Sequence, residues 1–308
     1  MNLEPFIEIT QKAALVCYSS IGKKDPKSSD QLAVSSMRDS FNDLNMDISI
    51  VIGEGERDKA PRLYTGEQLG NPNSSVKWDV AVDPLEGTNL CAEDKPGALS
   101  VMGISARNHL FKAPDIYMKK LACGPQAKNV IDLQAPVKEN LKKTAQALGK
   151  KIEDLRVGVL NRSRHARLIR EIKEEKAQVY LVEDGDISLS LQTILNSAPL
   201  DLLMGIGGAP EGVLSAIALK CLGGGFQGQL VYQNSKERDR AYSVGVRNLD
   251  KIWNQDELVQ GPAYFIATGV TTGPLLDGVK KELSTYLSHT LVLSKENALQ
   301  EFRKKHIL

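Results

Sequence analysis

The stretch Asp79-Val80-Ala81-Val82-Asp83-Pro84-Leu85-Glu86-Gly87-Thr88 constrains this chain more than any other. Val80, Ala81 and Val82 read as a short buried strand. Pro84 is expected to end it, and Gly87 to permit a tight turn. Asp79, Asp83 and Glu86 then crowd one strand end. Unpaired carboxylates are costly to bury, so such a cluster calls for cations. All-oxygen ligation suits a hard ion such as Mg²⁺ or Mn²⁺. Thr88 adds a hydroxyl, and a helix starting near Gly87 would point free N–H groups at an anion. Carboxylates, divalent metal and an anion site together indicate phosphate ester chemistry. Taken alone, the stretch also fits a solvated acidic turn.

The 308 residues suffice for two domains or one large one. A hydrophobic content of 42% and a charged content of 25% fit an ordinary soluble globular protein. The net charge of +1 gives no support for a nucleic-acid or polybasic membrane surface. Cys17, Cys91, Cys123 and Cys221 lie far apart and form no zinc spacing, so they are expected to be reduced and buried in a cytoplasmic protein. Glu4 and Glu8 occupy the region where a signal peptide would be basic. The longest uncharged run, Gly261 to Leu276, holds two prolines and three glycines and does not read as a membrane span.

Apolar spacing predicts a helix from about Pro5 to Ile21, and a second one, capped by Ser29 or Asp30, through about Leu44. Ile48 to Ile52 reads as a strand. Ala98 to Ser105 and Ile116 to Cys123 read as two more, with Arg107-Asn108 as a hairpin turn between them. Gln134-Ala135-Pro136 introduces a helix that Gly149 ends. From Arg156 the chain alternates strand and helix, which predicts a mostly parallel sheet. Ligands of such sheets sit beyond the carboxyl ends of the strands. Three polar turns fall there: Asn161 to Arg164, Glu183 to Asp186, and Gly207 to Glu211. Ala263 to Thr268 and Ser288 to Leu293 are later strands.

Each candidate has a bland alternative. Gly53-Glu54-Gly55-Glu56 is either a second acidic strand end for a two-metal site or a solvated turn. Gly207-Gly208-Ala209-Pro210-Glu211-Gly212 is either an anion nest with Glu211 as a metal ligand or a capped helix start. Arg162-Ser163-Arg164 offers guanidinium groups to phosphate, or lies in a solvent-facing loop. Asp184-Gly185-Asp186 suits sugar hydroxyls and is expected to cap the following helix in any case. Tyr117 reads as packing. His109 and His165 have no sequence partner and receive no metal role.

Val51 to Glu56, Asp79 to Thr88, Ala113 to Met118, Asp184 to Asp186 and Ile206 to Gly212 occur in this order, with Gly149-Lys150 and Ala267 to Thr271. Together they resemble the bacterial class II fructose-1,6-bisphosphatases from about Ala13 to Leu293. Asp-Pro-x-Glu-Gly-Thr alone indicates only the wider superfamily of metal-dependent, lithium-sensitive sugar and inositol phosphatases. The resemblance implies an α/β fold, a layered α/β/α/β/α sugar phosphatase sandwich. Its N-terminal sheet is expected to be mixed and its C-terminal sheet mostly parallel. It further implies a metal- and reacting-phosphate-binding half over 1–150 and a sugar- and distal-phosphate-binding half over 151–308. The activity implied is removal of the 1-phosphate of fructose 1,6-bisphosphate, a gluconeogenic step, with two or more Mg²⁺ or Mn²⁺ ions.

Carried over by position, Asp30, Glu54, Asp83, Glu86 and Glu211 resemble the metal ligands. Glu86, Gly87 and Thr88 resemble the reacting-phosphate contacts. Tyr117, Arg162, Ser163, Arg164, Asp184, Gly185, Asp186 and Gly208 resemble substrate contacts. Asp58 and Thr88 match positions tied to catalysis. The chain departs from the family at Lys24-Asp25-Pro26, where Gly-Asp-Lys is usual; at Asn89, often Arg; and at Arg162-Ser163-Arg164, usually Lys-Pro-Arg. Sedoheptulose 1,7-bisphosphate or another sugar or inositol phosphate is the alternative substrate. A weakly active metal- and sugar-phosphate-binding regulator is the alternative class. A homodimer or homotetramer in the cytoplasm is expected, with no nucleic-acid or membrane partner.

Overall fold

Asp25 accepts a hydrogen bond from the Ser28 amide at 3.0 Å, and Pro26 takes the first helical position after it. The second helix therefore starts earlier than Ser29 or Asp30, because an Asp cap followed by Pro is the stronger start signal. In the computed structural model, which describes residues 2–54, 62–195 and 200–307, the chain divides into two units. One is Met1–Phe111 with Gly261–Leu308; the other is Lys112–Gln260.

The first unit contains α1 (Glu4–Cys17), α2 (Pro26–Asn42), β1 (Asp47–Ile52), β2 (Gln68–Gly70), β3 (Lys77–Glu86), α3 (Thr88–Ala92) and β4 (Leu99–Ala106). The chain returns to it as β11 (Ala263–Gly269), β12 (Lys280–Glu282), β13 (Thr285–Ser294) and β14 (Ala298–Ile307). The strands form one mixed sheet in the order β12-β13-β11-β4-β3-β1-β2, with β14 also on β13. Val80 and Val82 of β3 pack against Phe6, Ile9, Met37 and Phe41 of the helices.

The second unit contains β5 (Tyr117–Cys123), α4 (Val137–Leu148), β6 (Arg156–Leu160), α5 (Ala166–Glu174), β7 (Gln178–Val182) and α6 (Asp186–Leu191). It continues through β8 (Leu202–Gly208), α7 (Ala209–Cys221), β9 (Gly225–Val231), α8 (Ser235–Ser243), β10 (Ile252–Asn254) and α9 (Gln255–Leu258). The strand order is β10-β9-β5-β8-β6-β7. Leu121, Cys123, Leu202 and Met204 join Leu141, Ala145 and Ile172 in its core.

Four further sequence expectations change. The second sheet is mixed, not mostly parallel: β6–β7 and β6–β8 are parallel, whereas β5–β8, β5–β9 and β9–β10 are antiparallel. Strand β5, which precedes the alternating region, inserts between β8 and β9. For the same reason the division does not fall at residue 150. Residues 112–150 join the second unit through β5, and residues 261–308 return to the first through the β11–β4 pairing. Arg107-Asn108 joins no hairpin between β4 and β5, which lie in different sheets. The turn instead folds back on β3, with the Asn108 amide donating to Asp79 at 2.6 Å. Finally, Pro84 does not end β3. It lies in a bulge, one of the few sheet positions that tolerates proline.

Candidate functional site

In the first unit β1 and β3 are neighbours and parallel. Glu54 after β1 and Asp83 and Glu86 at the end of β3 therefore share one end of the sheet. The bulge decides where the β3 carboxylates point. Asp83 pairs with Val101 and Glu86 with Leu99, two residues apart on β4. Residues two apart share a face, as do cross-strand partners. The extra residue at Pro84-Leu85 thus sets Asp83 and Glu86 on one face, where regular alternation would separate them. Leu85 turns the other way, among Ala14, Leu15 and Ala33.

Local backbone fixes these carboxylates further. The Leu85 amide donates to Asp83 Oδ1 at 3.2 Å. A Cβ on Gly53 would stand 1.9 Å from the Leu63 carbonyl oxygen, which accepts from the Glu54 amide at 2.9 Å. Glycine there permits the close approach that anchors Glu54. Gly87 has φ 76° and caps α3. The Thr88 hydroxyl donates to the Leu85 carbonyl at 3.0 Å, which leaves its oxygen to accept. Asp58, which matches a position tied to catalysis, lies outside the described residues, as does Glu56.

Asp30 lies on α2 just past its first turn, and Ala33 of the same helix packs with Leu85 and Leu90. Burial pushes its carboxyl above the ordinary range. Asp79, 1% exposed, binds the Arg107 guanidinium at 3.3 Å besides the Asn108 amide, so it braces the β3–β4 end. Among the described residues, no group of three or more His, Cys, Asp and Glu side chains is close enough to hold a metal ion. The acidic side chains share a strand end without converging on a point.

In the second unit β6, β7 and β8 run parallel, and β5 runs antiparallel to β8 with Tyr117 opposite Gly208. Tyr117, Arg162 to Arg164, Glu183 to Asp186 and Gly208 to Glu211 are thereby brought to one end of that sheet. Arg164 stacks 4.8 Å from the Tyr117 ring centre and donates twice to the Ile206 carbonyl, at 3.0 and 2.8 Å. Tyr117 is therefore more than packing. Arg162 reaches Glu183 at 3.9 Å, and Ser163 starts a short 3₁₀ turn.

Asp186 forms a buried ion pair with Lys120. Lys120 was missed in the sequence; the signal was Lys119-Lys120 in a strand, where alternation sends one lysine inward. The cap position of α6 is held by Gly185, with φ 100°, which brings no side chain to cap the helix, and Asp184 accepts from the Gly185 amide. Gly207 and Gly208 make room for carboxylates. A Cβ on the first would stand 2.0 Å from Asp186 Oδ2, and on the second 1.9 Å from Glu211 Oε2. Burial pushes the Glu211 carboxyl up, Asp186 and Asp115 add to this, and Lys120 opposes it.

His165 joins β6 to β8. Its Nε2 accepts from the Ile206 amide at 2.8 Å, so Nδ1 carries the proton and donates to the Leu160 carbonyl at 2.7 Å. Burial lowers its pKa, which keeps the ring neutral. Cys17, Cys91, Cys123 and Cys221 are free and buried. No helix among the described residues is long and apolar enough to cross a membrane.

Residues 2–306 match the family described as "Bacterial fructose-1,6-bisphosphatase, glpX-encoded". A protein of Synechocystis sp. named "D-fructose 1,6-bisphosphatase class 2/sedoheptulose 1,7-bisphosphatase" is 42% identical over 96% of this chain and 93% of its own length. One of the same name from Thermosynechococcus vestitus is 40% identical over 96% of this chain and 92% of its own. Among solved structures, the extragenic suppressor protein suhB of Bartonella henselae superposes with a TM-score of 0.38 and 9% identity, over 65% of this chain and 74% of that one. The match along nearly the whole length, with the acidic and cationic strand ends in place, makes this chain a member of the bacterial glpX-type fructose-1,6-bisphosphatase family.

Proposed function

We propose that this chain is a metal-dependent phosphatase that hydrolyses fructose 1,6-bisphosphate to fructose 6-phosphate and inorganic phosphate. The family match over residues 2–306 is the observation that carries this reading. Sedoheptulose 1,7-bisphosphate is a second substrate of the same chemistry, favoured by the double name of the relatives.

The donor set fits a hard divalent cation. Glu54, Asp83 and Glu86 supply only oxygen, and the β3 bulge aims two of them to one side. The resemblance assigns the ion to these three, with Asp30 on the adjacent helix as a further candidate. When bound, Mg²⁺ or Mn²⁺ neutralises phosphate charge and makes a coordinated water more acidic. Thr88 is suited to orient the attacking water, since its oxygen can accept while its proton is committed to Leu85. Asp58 retains its role from the resemblance. In the second unit Arg164 and Arg162 suit a sugar phosphate. Asp184 and Asp186 suit sugar hydroxyls, and Glu211 belongs to the acidic set by resemblance. A homo-oligomer in the cytoplasm fits this reading.

The test is phosphate release from fructose 1,6-bisphosphate with Mn²⁺ or Mg²⁺, beside sedoheptulose 1,7-bisphosphate and inositol phosphates, with and without EDTA. Release from the first substrate that EDTA abolishes is expected. Turnover indifferent to the chelator, or confined to inositol phosphates, overturns the reading.

A further inference from the structure

Strand β5 carries two lysines in a row, and only the second turns inward. Lys119 is exposed and donates to the Leu133 carbonyl at 2.9 Å, whereas Lys120 is 2% exposed. The cross-strand partners of Lys120 are glycines on both sides, Gly205 of β8 and Gly228 of β9. With no side chain beside it on the flanking strands, its stem is free to run along the sheet toward Gly207. A Cβ on Gly212 would stand 3.2 Å from Lys120 Cε, and one on Gly207 3.2 Å from Lys120 Nζ. Glycines at both positions leave a slot through which the ammonium reaches Asp186.

Two carboxylates share this strand end. Asp186 lies against Gly207 and Glu211 against Gly208. Asp186 raises the pKa of Glu211 and Lys120 lowers it, so all three feel one another. Buried carboxylates need a counter-charge. Here the chain supplies it on a covalent tether. The compact ammonium of lysine suits the slot better than the wide, planar guanidinium of arginine.

We propose that Lys120 is a positioning residue for sugar recognition: a fixed cation that holds the Asp186 carboxylate at the substrate end, so that the second unit binds a sugar monophosphate without a divalent ion. The proposal rests on the reading that Asp186 meets sugar hydroxyls. A carboxylate held in one orientation gives a hydroxyl a charge-assisted hydrogen bond, and no ion has to arrive first. By linkage, sugar affinity is then nearly indifferent to Mn²⁺.

The test is calorimetric titration of the full chain with fructose 6-phosphate, in EDTA and in Mn²⁺, and with inorganic phosphate in EDTA. The wild type is expected to bind the sugar phosphate in EDTA with a Kd within about threefold of that in Mn²⁺. Lys120→Met is expected to weaken that binding at least about tenfold. Its affinity for inorganic phosphate, which has no sugar hydroxyls, is expected within about threefold of wild type. A lysine that only stabilised the fold would weaken both ligands alike, so the ratio of the two affinities is the readout. Should Lys120→Met fail to fold, Lys120→Gln carries the test, since it keeps a donor for Asp186 and loses the charge. Wild-type binding that Mn²⁺ tightens beyond threefold overturns the proposal and leaves the phosphatase reading intact. A ratio unchanged in the folded variant overturns it too. So does the absence of binding in both media, and phosphate release, measured separately, shows whether the phosphatase reading falls with it.

Discussion

In the first unit the acidic strand ends are shaped by bulges, at Val51 in β1 and at Pro84-Leu85 in β3. In the second they are shaped by space and counter-charge: Gly207 and Gly208 leave room for carboxylates, and Lys120 neutralises Asp186 from inside the sheet. A bulge re-aims side chains without burying a cation beside them, which suits carboxylates that are to meet a metal and a phosphate. A buried ion pair makes the strand end rigid before any ligand arrives. The first unit should therefore govern turnover, and the second should govern stability and substrate affinity.

The largest effect falls on the ion pair. Lys120→Met removes the ammonium and leaves Asp186 buried beside Glu211. Breaking such a pair typically costs about 3–5 kcal/mol. Denaturant unfolding should show a midpoint lowered accordingly; an unchanged midpoint would mean that Asp186 does not need its partner. Glu86→Gln tests the other side of the comparison. It keeps shape and removes charge at the β3 end, so kcat should fall on the order of 10² or more, with the unfolding midpoint changed far less than by Lys120→Met. Activity within twofold of wild type would remove Glu86 from the site.

The sequence showed much of this division, and the parts it hid have physical causes. Val80 and Val82 announced a buried strand because alternation and β-branching survive any tertiary context. The acidic run told that the strand end was special. What it could not tell was that Asp83 and Glu86 share a face, since that depends on pairing with Leu99 and Val101. Pro84 was misread because its usual meaning, a strand end, and its rarer one, a bulge, look alike without the partner strand. The parallel reading of residues 156–222 was locally sound, but β5, far upstream, determined the sheet. Arg162 to Arg164 and Asp184 to Asp186 were legible as polar turns at strand ends. Lys120 was not, because its partner lies 66 residues away. Strand β14, rich in charge and exposed, carries no apolar pattern to read.

A smaller effect separates charge from shape at Arg164. Its guanidinium stacks on Tyr117 and holds the Ile206 carbonyl with two N–H groups. Lysine keeps the charge and loses both features. Arg164→Lys should raise KM about tenfold, or about 1.4 kcal/mol, while kcat stays within twofold. A fall in kcat with KM unchanged would place the second unit in the chemical step and break the comparison.

The smallest effect is in the pH dependence of stability, and it is tested at a second-unit residue. His165 is neutral in the fold because burial lowers its pKa, whereas unfolded chain titrates near 6.5. The unfolded state therefore binds more protons, and the stability that His165 contributes is complete above about pH 6.5 and declines as pH falls below it. Glu211 acts with the opposite sign. Its raised pKa makes the charged carboxylate a cost of the fold, and that cost is relieved in acid. His306, also lowered by burial, adds to the trend of His165. Asp30, whose carboxyl burial also raises, acts with the sign of Glu211, and the wild-type curve is the net of all such groups, so the difference between two curves is the informative quantity. His165→Gln should lower stability at pH 7.5, since it disturbs the link between the Leu160 carbonyl and the Ile206 amide. Its loss of stability between pH 7.5 and 5.5 should be shallower than that of wild type. Parallel curves would mean that His165 takes up its proton without breaking the β6–β8 link, and that the second unit's strand end is less rigid than its buried charges imply.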